Sequence, residues 1–172
     1  MTSGQSAAAA AGPKRRSLAP IVAAVFCGTL LTGLNTNTVN LAVPALMASF
    51  GASMETVRWA VTGYMLGIGI GSPLAGYVYR RFGGKRAYLG ALLGYIAASL
   101  LCAVAFNLPM LLVSRALQGL AGGLIGPITL TLLYRNVAEE KRSVAVGFWE
   151  AAGWTGPAVG PVVAGFCLQA LD

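Results

Sequence analysis

The sequence has little charge and no histidine. Only 10% of its 172 residues are charged, and five of them are acidic. A soluble domain carries roughly a quarter charged residues, so this composition excludes an ordinary soluble protein. Without histidine, no histidine-based metal site can form.

Cysteine is also scarce. Cys27, Cys102 and Cys167 are odd in number, widely spaced and placed within apolar stretches. They fit neither a disulfide framework nor a metal site, and we interpret them as small packing residues. We therefore expect no metal and no cofactor. No set of catalytic side chains is present either, so the chain is not predicted to be an enzyme.

Apolar residues make up 56% of the chain, and its mean hydropathy is +0.71. We predict an all-α integral membrane protein, because each span needs about 20 apolar residues and the length accommodates five. Residues 1–17 are predicted to be a disordered cytoplasmic terminus, and residues 18–172 a transmembrane bundle. The first apolar run is too long for a signal-peptide core. The five predicted spans are Leu18–Val43, Val57–Tyr79, Ala87–Phe106, Met110–Tyr134 and Val144–Ala170, with an external loop from Ala45 to Thr56.

The net charge of +7 follows from the placement of the cations rather than from nucleic-acid binding. With the N-terminus in the cytoplasm, ten of the twelve cations fall on the cytoplasmic side, which the positive-inside rule favours. Arg58 lies at the outer end of the second span, and Arg115 is inside the fourth. The ten are Lys14, Arg15, Arg16, Arg80, Arg81, Lys85, Arg86, Arg135, Lys141 and Arg142.

Polar residues fill the outer half of the first span. Asn35, Asn37 and Asn40 lie among threonines there, where lipid cannot satisfy their amides. One interpretation is hydrogen bonding between helices that only holds the bundle together. The other is the wall of a substrate cavity, to which Gln118 and Trp154 would also contribute.

Two ionisable residues are predicted inside spans. Arg115 shares a helical face with Gly119, Gly122 and Gly126, so it should face a closely packed partner or a cavity, or else extend to the outer interface. Glu150 is the only carboxylate inside a span. We hypothesise that Glu150 carries protons or contacts a cationic substrate; the alternative is a neutral, hydrogen-bonded glutamic acid near the interface.

Small residues mark two faces for close helix packing. Gly63, Gly67 and Gly71 repeat every four residues in the second span. The fifth span carries a stripe of small residues and two prolines that bend or stiffen it. On residue types alone, the fifth span is a kinked, tightly packed membrane helix. The stripe consists of Gly153, Gly156, Gly160 and Ala164, and the prolines are Pro157 and Pro161.

The order of these residues resembles the motifs of the major facilitator superfamily. The fifth span resembles its antiporter motif at Gly147, Gly156, Gly160, Pro161 and Gly165, with Ala164 where a glycine is usual. The loop after the second span resembles the superfamily's signature loop, although Arg80 occupies the aspartate position. By default this basic loop is only a topology signal. Its matching positions are Gly76, Arg81, Gly83 and Lys85, followed by Arg86.

Two further motifs support the resemblance. Arg115, Gln118 and Gly119 resemble the fourth-span motif, whose arginine is tied to proton coupling. Leu34 to Pro44 resembles the first-span motif of the fourteen-span drug:proton antiporters of the EmrB/QacA type, with Asn35 where that branch has an aspartate. An amide cannot bind and release a proton near neutral pH.

The resemblance implies the N-terminal five helices of a multidrug antiporter in the bacterial inner membrane. Such a protein exports small amphipathic compounds by alternating access and is driven by the proton gradient. A periplasmic adaptor and an outer-membrane channel are possible partners of this class. The alternatives are a non-transporting remnant or helper subunit, and an importer of a small solute with the same fold. Five spans lack the opposing bundle that transport requires.

Overall fold

The computed structural model describes residues 26–30, 32–33 and 42–171, with side chains at all of these positions except 160, 161 and 163–171. Residues 26–30 and 32–33 are helical, and residues 42–50 form a helix that we call α1. The sequence predicted a loop from Ala45, but the helix continues to residue 50. The chain turns at Gly51, whose φ of 58° is the left-handed conformation that glycine adopts without strain.

Helix α2 comprises Met54–Phe82, and it begins three residues earlier and ends three later than the sequence predicted. Ser53 explains the earlier start, because its Oγ accepts a hydrogen bond from the Thr56 backbone N–H at 3.3 Å. This N-cap satisfies one of the free donors of the first turn. Pro73 lies within α2 without ending it.

A single residue joins α2 to α3, which comprises Gly84–Ala103. Gly83 has φ of 77°, and its N–H donates to the Tyr79 carbonyl at 2.9 Å. The predicted loop Gly76–Arg86 is therefore mostly helical, and Gly83 forms the turn within it. An L-residue at Gly83 would adopt this left-handed conformation only with strain.

Helix α4 comprises Leu108–Asn136 and contains Pro127. The side chain of Asn107 caps it, accepting from the Met110 N–H at 2.8 Å. Helix α5 comprises Glu139–Leu171. Its connection to α4 is short, and Leu133 and Val137 pack there against Ala145 and Trp149.

The buried core lies between α2, α3 and α4. Tyrosines fill the centre, with isoleucines from α4 and alanines from all three helices. The cluster consists of Tyr64, Ala75, Ala87, Tyr88, Ala91, Tyr95, Ala121, Ile125 and Ile128. Every regular element in the described part of the chain is helical, which agrees with the predicted all-α class.

Large apolar side chains cover the outside of the bundle. Ile70 is 60% exposed, Leu93 65%, Leu100 63% and Val113 61%. Exposing so continuous an apolar surface to water is unfavourable, whereas the same surface is favourable in contact with lipid. Within the described residues, α3 and α4 are the two helices long and apolar enough to cross a membrane by length and composition.

Candidate functional site: a buried arginine between three helices

Arg115 lies inside the bundle, seven residues into α4, with 4% of its surface exposed. At 1.5 Å per residue, this position is about 10 Å from the start of the helix. Its guanidinium carbon lies 4.5 Å from the centroid of the Tyr64 ring on α2. A cation over an aromatic face is attracted by the ring quadrupole, most strongly where water is excluded.

Gln118 connects this arginine to α3. Arg115 Nη1 donates a hydrogen bond to Gln118 Oε1, one turn further along α4. Gln118 Nε2 donates to Ser99 Oγ at 2.6 Å, and Ser99 Oγ donates to the Tyr95 carbonyl at 2.9 Å. Gln118 is 1% exposed. The three helices are therefore joined by one polar network around a cation.

Such an arrangement holds a positive charge at a fixed place in a low-dielectric interior. Burying a charge in that environment costs desolvation free energy unless polar groups surround it. The charge also interacts strongly with any neighbouring group whose own charge changes. The network can therefore orient the guanidinium towards an anion or towards a group that gains and loses a proton. Charged residues within membrane spans generally mark substrate, ion or proton pathways.

Four glycines bring the backbones of α2 and α4 together beside this network. A Cβ on Gly119 would overlap the Tyr64 carbonyl oxygen, and one on Gly123 would lie 2.7 Å from the Ile68 carbonyl oxygen. From the other side, a Cβ on Gly67 or Gly71 would overlap a carbonyl oxygen of α4. The close-packing face that the sequence predicted on α2 is thus present.

The predicted glycine faces differ from the structure in detail. At Gly63 a Cβ would make only an ordinary contact, 3.7 Å from the Leu112 carbonyl. A Cβ at Gly126 would meet nothing within 4 Å in the described part of the chain, whereas Gly123 is tightly packed. The helix turns Gly123 towards α2, because it lies four residues after Gly119.

Helix α5 packs against the first predicted span through small residues. A Cβ on Gly33 would lie 3.1 Å from the Gly153 carbonyl oxygen, 3.1 Å from Pro157 Cδ and 3.2 Å from Gly156 Cα. The first half of the antiporter-like stripe therefore contacts another backbone closely. The side chains of the second half, which includes Pro161, Ala164 and Gly165, lie outside the described residues.

The other predicted site residues on α5 lie apart from the arginine network. Glu150 is exposed, and Trp154, one turn later, is 74% exposed. Gly147 is also exposed, and a Cβ there would meet nothing within 4 Å among the described residues. The predicted cavity residues Asn35, Asn37 and Asn40 lie outside the described residues.

The basic positions of the predicted signature loop are all on the surface. The joint between α2 and α3 lies at the same end of the bundle as the joint between α4 and α5. The Arg135 guanidinium carbon shows this, since it lies 5.3 Å from the centroid of the Tyr79 ring. Both basic joints thus share one side. The predicted site residues of the loop, all of them exposed, are Gly76, Arg80, Arg81, Gly83, Lys85 and Arg86.

Sequence reasoning missed Tyr64 and Ser99. Tyr64 precedes Gly67 and Gly71 by three and seven residues, so it lies on the same helical face as the glycines. That spacing was an available signal. No such signal was available for Ser99, because a single serine in an apolar helix usually forms a hydrogen bond with the backbone of its own helix.

These features define a polytopic membrane protein with glycine-mediated helix contacts and a buried cation. A family model described as the Major Facilitator Superfamily matches residues 25–172. Because this match covers most of the sequence, the chain belongs to the major facilitator superfamily, as its motifs indicated.

Several curated relatives are similar to the chain. It is 33% identical to the "Uncharacterized MFS-type transporter YhcA" of Bacillus subtilis, over 84% of the chain and 27% of that relative. It is 31% identical to the "Multidrug resistance protein B homolog" of Mycobacterium tuberculosis, over 83% of the chain and 26% of the relative. It is 30% identical to the "Multidrug export protein EmrB" of Haemophilus influenzae, over 83% and 28% respectively. The chain thus spans between a quarter and a third of the length of these relatives.

Proposed function

We propose that the chain is the N-terminal part of a proton-coupled exporter of small amphipathic compounds. The buried Arg115 carries this proposal, because a membrane helix retains such a charge at considerable energetic cost. Membership of a transporter family and the printed names of the multidrug relatives support export as the direction.

The proposed mechanism is alternating access, in which two helical bundles rock about a central site. The α2–α4 pair would move as one body, since their backbones are in contact at four glycines. Arg115 would sense the protonation of an acidic group in its surroundings, held in orientation by Tyr64 and Gln118. Glu150 and Trp154, exposed on α5, would face the substrate or the proton path. The proton gradient would supply the energy without a cofactor.

We further propose that the protein lies in the inner membrane of a bacterium, with its N-terminus in the cytoplasm. The shared side of the two basic joints supports this orientation. A periplasmic adaptor and an outer-membrane channel would complete the export route in a double-membrane cell.

Efflux measurements test the proposal. The gene product that contains this chain would be expressed in efflux-deficient bacteria loaded with a fluorescent amphipathic cation. We expect energised efflux, its loss on adding a protonophore, and near-complete loss in Arg115→Gln. Arg58→Gln is the matched control, because Arg58 is an exposed cation near the N-terminal end of α2.

Each failure has a distinct meaning. Efflux that survives the protonophore would refute proton coupling, and uptake instead of efflux would favour an importer. Unchanged gradient-driven efflux in Glu150→Gln would remove Glu150 from the proton path. No transport by a correctly inserted protein would favour a non-transporting helper or remnant.

A further inference from the structure

An apolar groove of about 530 Å³ runs along the outside of the bundle between α3 and α4. Small residues form its floor on the α3 side, leucines of α4 form the opposite wall, and Val78 and Phe82 of α2 also line it. The floor residues are Gly90, Ala91, Gly94, Ala97 and Ala98. A groove of this volume and lining has room for a slender apolar chain.

One end of the groove carries a cation. Arg86 lines it from the first turn of α3 and is exposed. Among the described residues, Arg86 makes no hydrogen bond or ion pair within the chain. The N-cap of α3 is Gly83, which has no side chain to satisfy the first-turn N–H groups. The positive end of the helix dipole therefore adds to the charge of Arg86.

Acidic side chains do not compete for this position. Glu139 and Glu140, at the same end of the bundle, belong to the first turn of α5 and do not line the groove. Glu55 is in the first turn of α2, at the opposite end. Glu150 is exposed on α5 and does not line the groove either. Within the part of the chain that the structure describes, the mouth of the groove is consequently positive, and its length is apolar.

The groove is long enough to hold an acyl chain over the full depth of one membrane leaflet. Helix α3 has 20 residues, so it rises about 30 Å, which is the thickness of a hydrocarbon core. Arg86 then lies at the level of the headgroups. The groove extends along α3 from Arg86 to Leu101, a rise of about 22 Å, which exceeds the roughly 15 Å depth of one leaflet.

We propose that this groove is a binding site for an anionic phospholipid. One acyl chain lies along the small residues of α3, and the phosphate contacts Arg86 and the first-turn N–H groups. Zwitterionic lipids fill the groove less well, because their cationic headgroup meets the guanidinium. Negative headgroups are attracted to arginines at the membrane surface and bind them through charge-assisted hydrogen bonds.

Native mass spectrometry of the purified gene product that contains this chain tests the headgroup. The protein is titrated with palmitoyl-oleoyl phosphatidylglycerol and, separately, with phosphatidylcholine that has the same acyl chains. We expect phosphatidylglycerol to bind about five-fold more tightly. Arg86→Gln should abolish this preference, whereas Lys141→Gln, which removes an exposed cation outside the groove, should retain it. Equal binding of the two lipids, or a preference that survives Arg86→Gln, would overturn the proposal.

A second pair of variants tests the groove itself. Gly90→Leu places a side chain into the groove at a position where a Cβ meets nothing within 4 Å in the described structure. Gly69→Leu is the matched control on α2, equally open and outside the groove. We expect Gly90→Leu to weaken binding of both lipids and Gly69→Leu to weaken neither. The same affinity in both variants would contradict an acyl-chain site.

Photo-crosslinking identifies the occupant in the membrane. A benzoyl-phenylalanine replaces the exposed Ala97 in the middle of the groove, and the irradiated chain is analysed by mass. An added phospholipid mass supports the proposal. A crosslink to a second copy, or to another segment of the same polypeptide, would show that protein covers the groove and would refute it.

Discussion

Arg115 on α4 lies over the ring of Tyr64 on α2, with 4.5 Å between the guanidinium carbon and the ring centroid. The same guanidinium donates to Gln118, which in turn donates to Ser99 on α3. One cation therefore joins all three helices of the core. The bundle surrounds this charge instead of leaving it at a lipid-facing surface.

The aromatic face of Tyr64 should stabilise the bundle through this cation. Tyr64→Phe keeps the ring under the guanidinium and is expected to unfold close to the wild-type temperature. Tyr64→Leu removes the ring and should lower the free energy of unfolding by about 2 kcal/mol or more, because a cation that is shielded from water interacts strongly with an aromatic ring. Thermal unfolding followed by circular dichroism in detergent measures both. Equal losses in the two variants would show that the ring face contributes nothing.

The α2–α4 contact should be intolerant of a single methyl group. In Gly119→Ala the new Cβ overlaps the Tyr64 carbonyl oxygen, so the helices must separate. We expect overpacking to lower the free energy of unfolding by about 1–3 kcal/mol. Gly126→Ala is the control, since its Cβ meets nothing within 4 Å among the described residues and alanine favours the helix by up to about 1 kcal/mol. A stabilised Gly119→Ala would contradict the close packing.

The hydrogen bond between Gln118 and Ser99 should contribute a measurable coupling energy. A double-mutant cycle with Ser99→Ala and Gln118→Leu isolates it, because the 2.6 Å bond is lost in each single variant. We expect a coupling of about 0.6 kcal/mol, the average for polar pairs between membrane helices, and at most about 1.7 kcal/mol. Additive effects of the two substitutions on the unfolding free energy would argue against the network.

The contact between α5 and the first span should allow a specific disulfide. A Cβ on Gly153 would lie 3.7 Å from Thr29 Cγ2. In a chain without its native cysteines, Thr29→Cys with Gly153→Cys should crosslink rapidly under mild oxidation. Thr29→Cys with Gly147→Cys should not, because a Cβ at Gly147 meets nothing within 4 Å of the described residues. A gel-shift assay distinguishes them, and crosslinking of the second pair alone would contradict the observed packing.

The orientation in the membrane should follow the two basic joints. Phe106→Cys, at an 80% exposed position before α4, should react with an impermeant maleimide in intact cells. Ala138→Cys, exposed between α4 and α5, should react only after the membrane is opened. Neither substitution removes a charge, so the topology signal is intact. The reverse labelling pattern would place the N-terminus outside.

The sequence was most informative where the residue type alone determines the geometry. Glycines at intervals of four residues predicted a close helix contact, and Gly67 and Gly71 make it. The apolar composition predicted the membrane class. The capping residues Ser53 and Asn107 account for the starts of α2 and α4 better than hydropathy does.

The partners of Arg115 were beyond the reach of the sequence. Periodicity shows which residues share a face of one helix, but the identity of the opposing helix depends on tertiary packing. Tyr64 and Ser99 meet the α4 network from two different helices. The α3 sequence is apolar on all sides, so nothing in its pattern distinguishes Ser99 from a residue that faces lipid.

The glycines between α2 and α4 have an evolutionary consequence. Every missense change at these codons adds at least one carbon, because all other amino acids have a Cβ. No conservative replacement therefore exists at Gly67, Gly71, Gly119 or Gly123, where that carbon meets backbone atoms that cannot rotate away. A side chain at any of these positions must move α2 relative to α4, and Tyr64 and Arg115 lie on these two helices. Substitutions that alter the helix contact therefore also affect the surroundings of the buried Arg115.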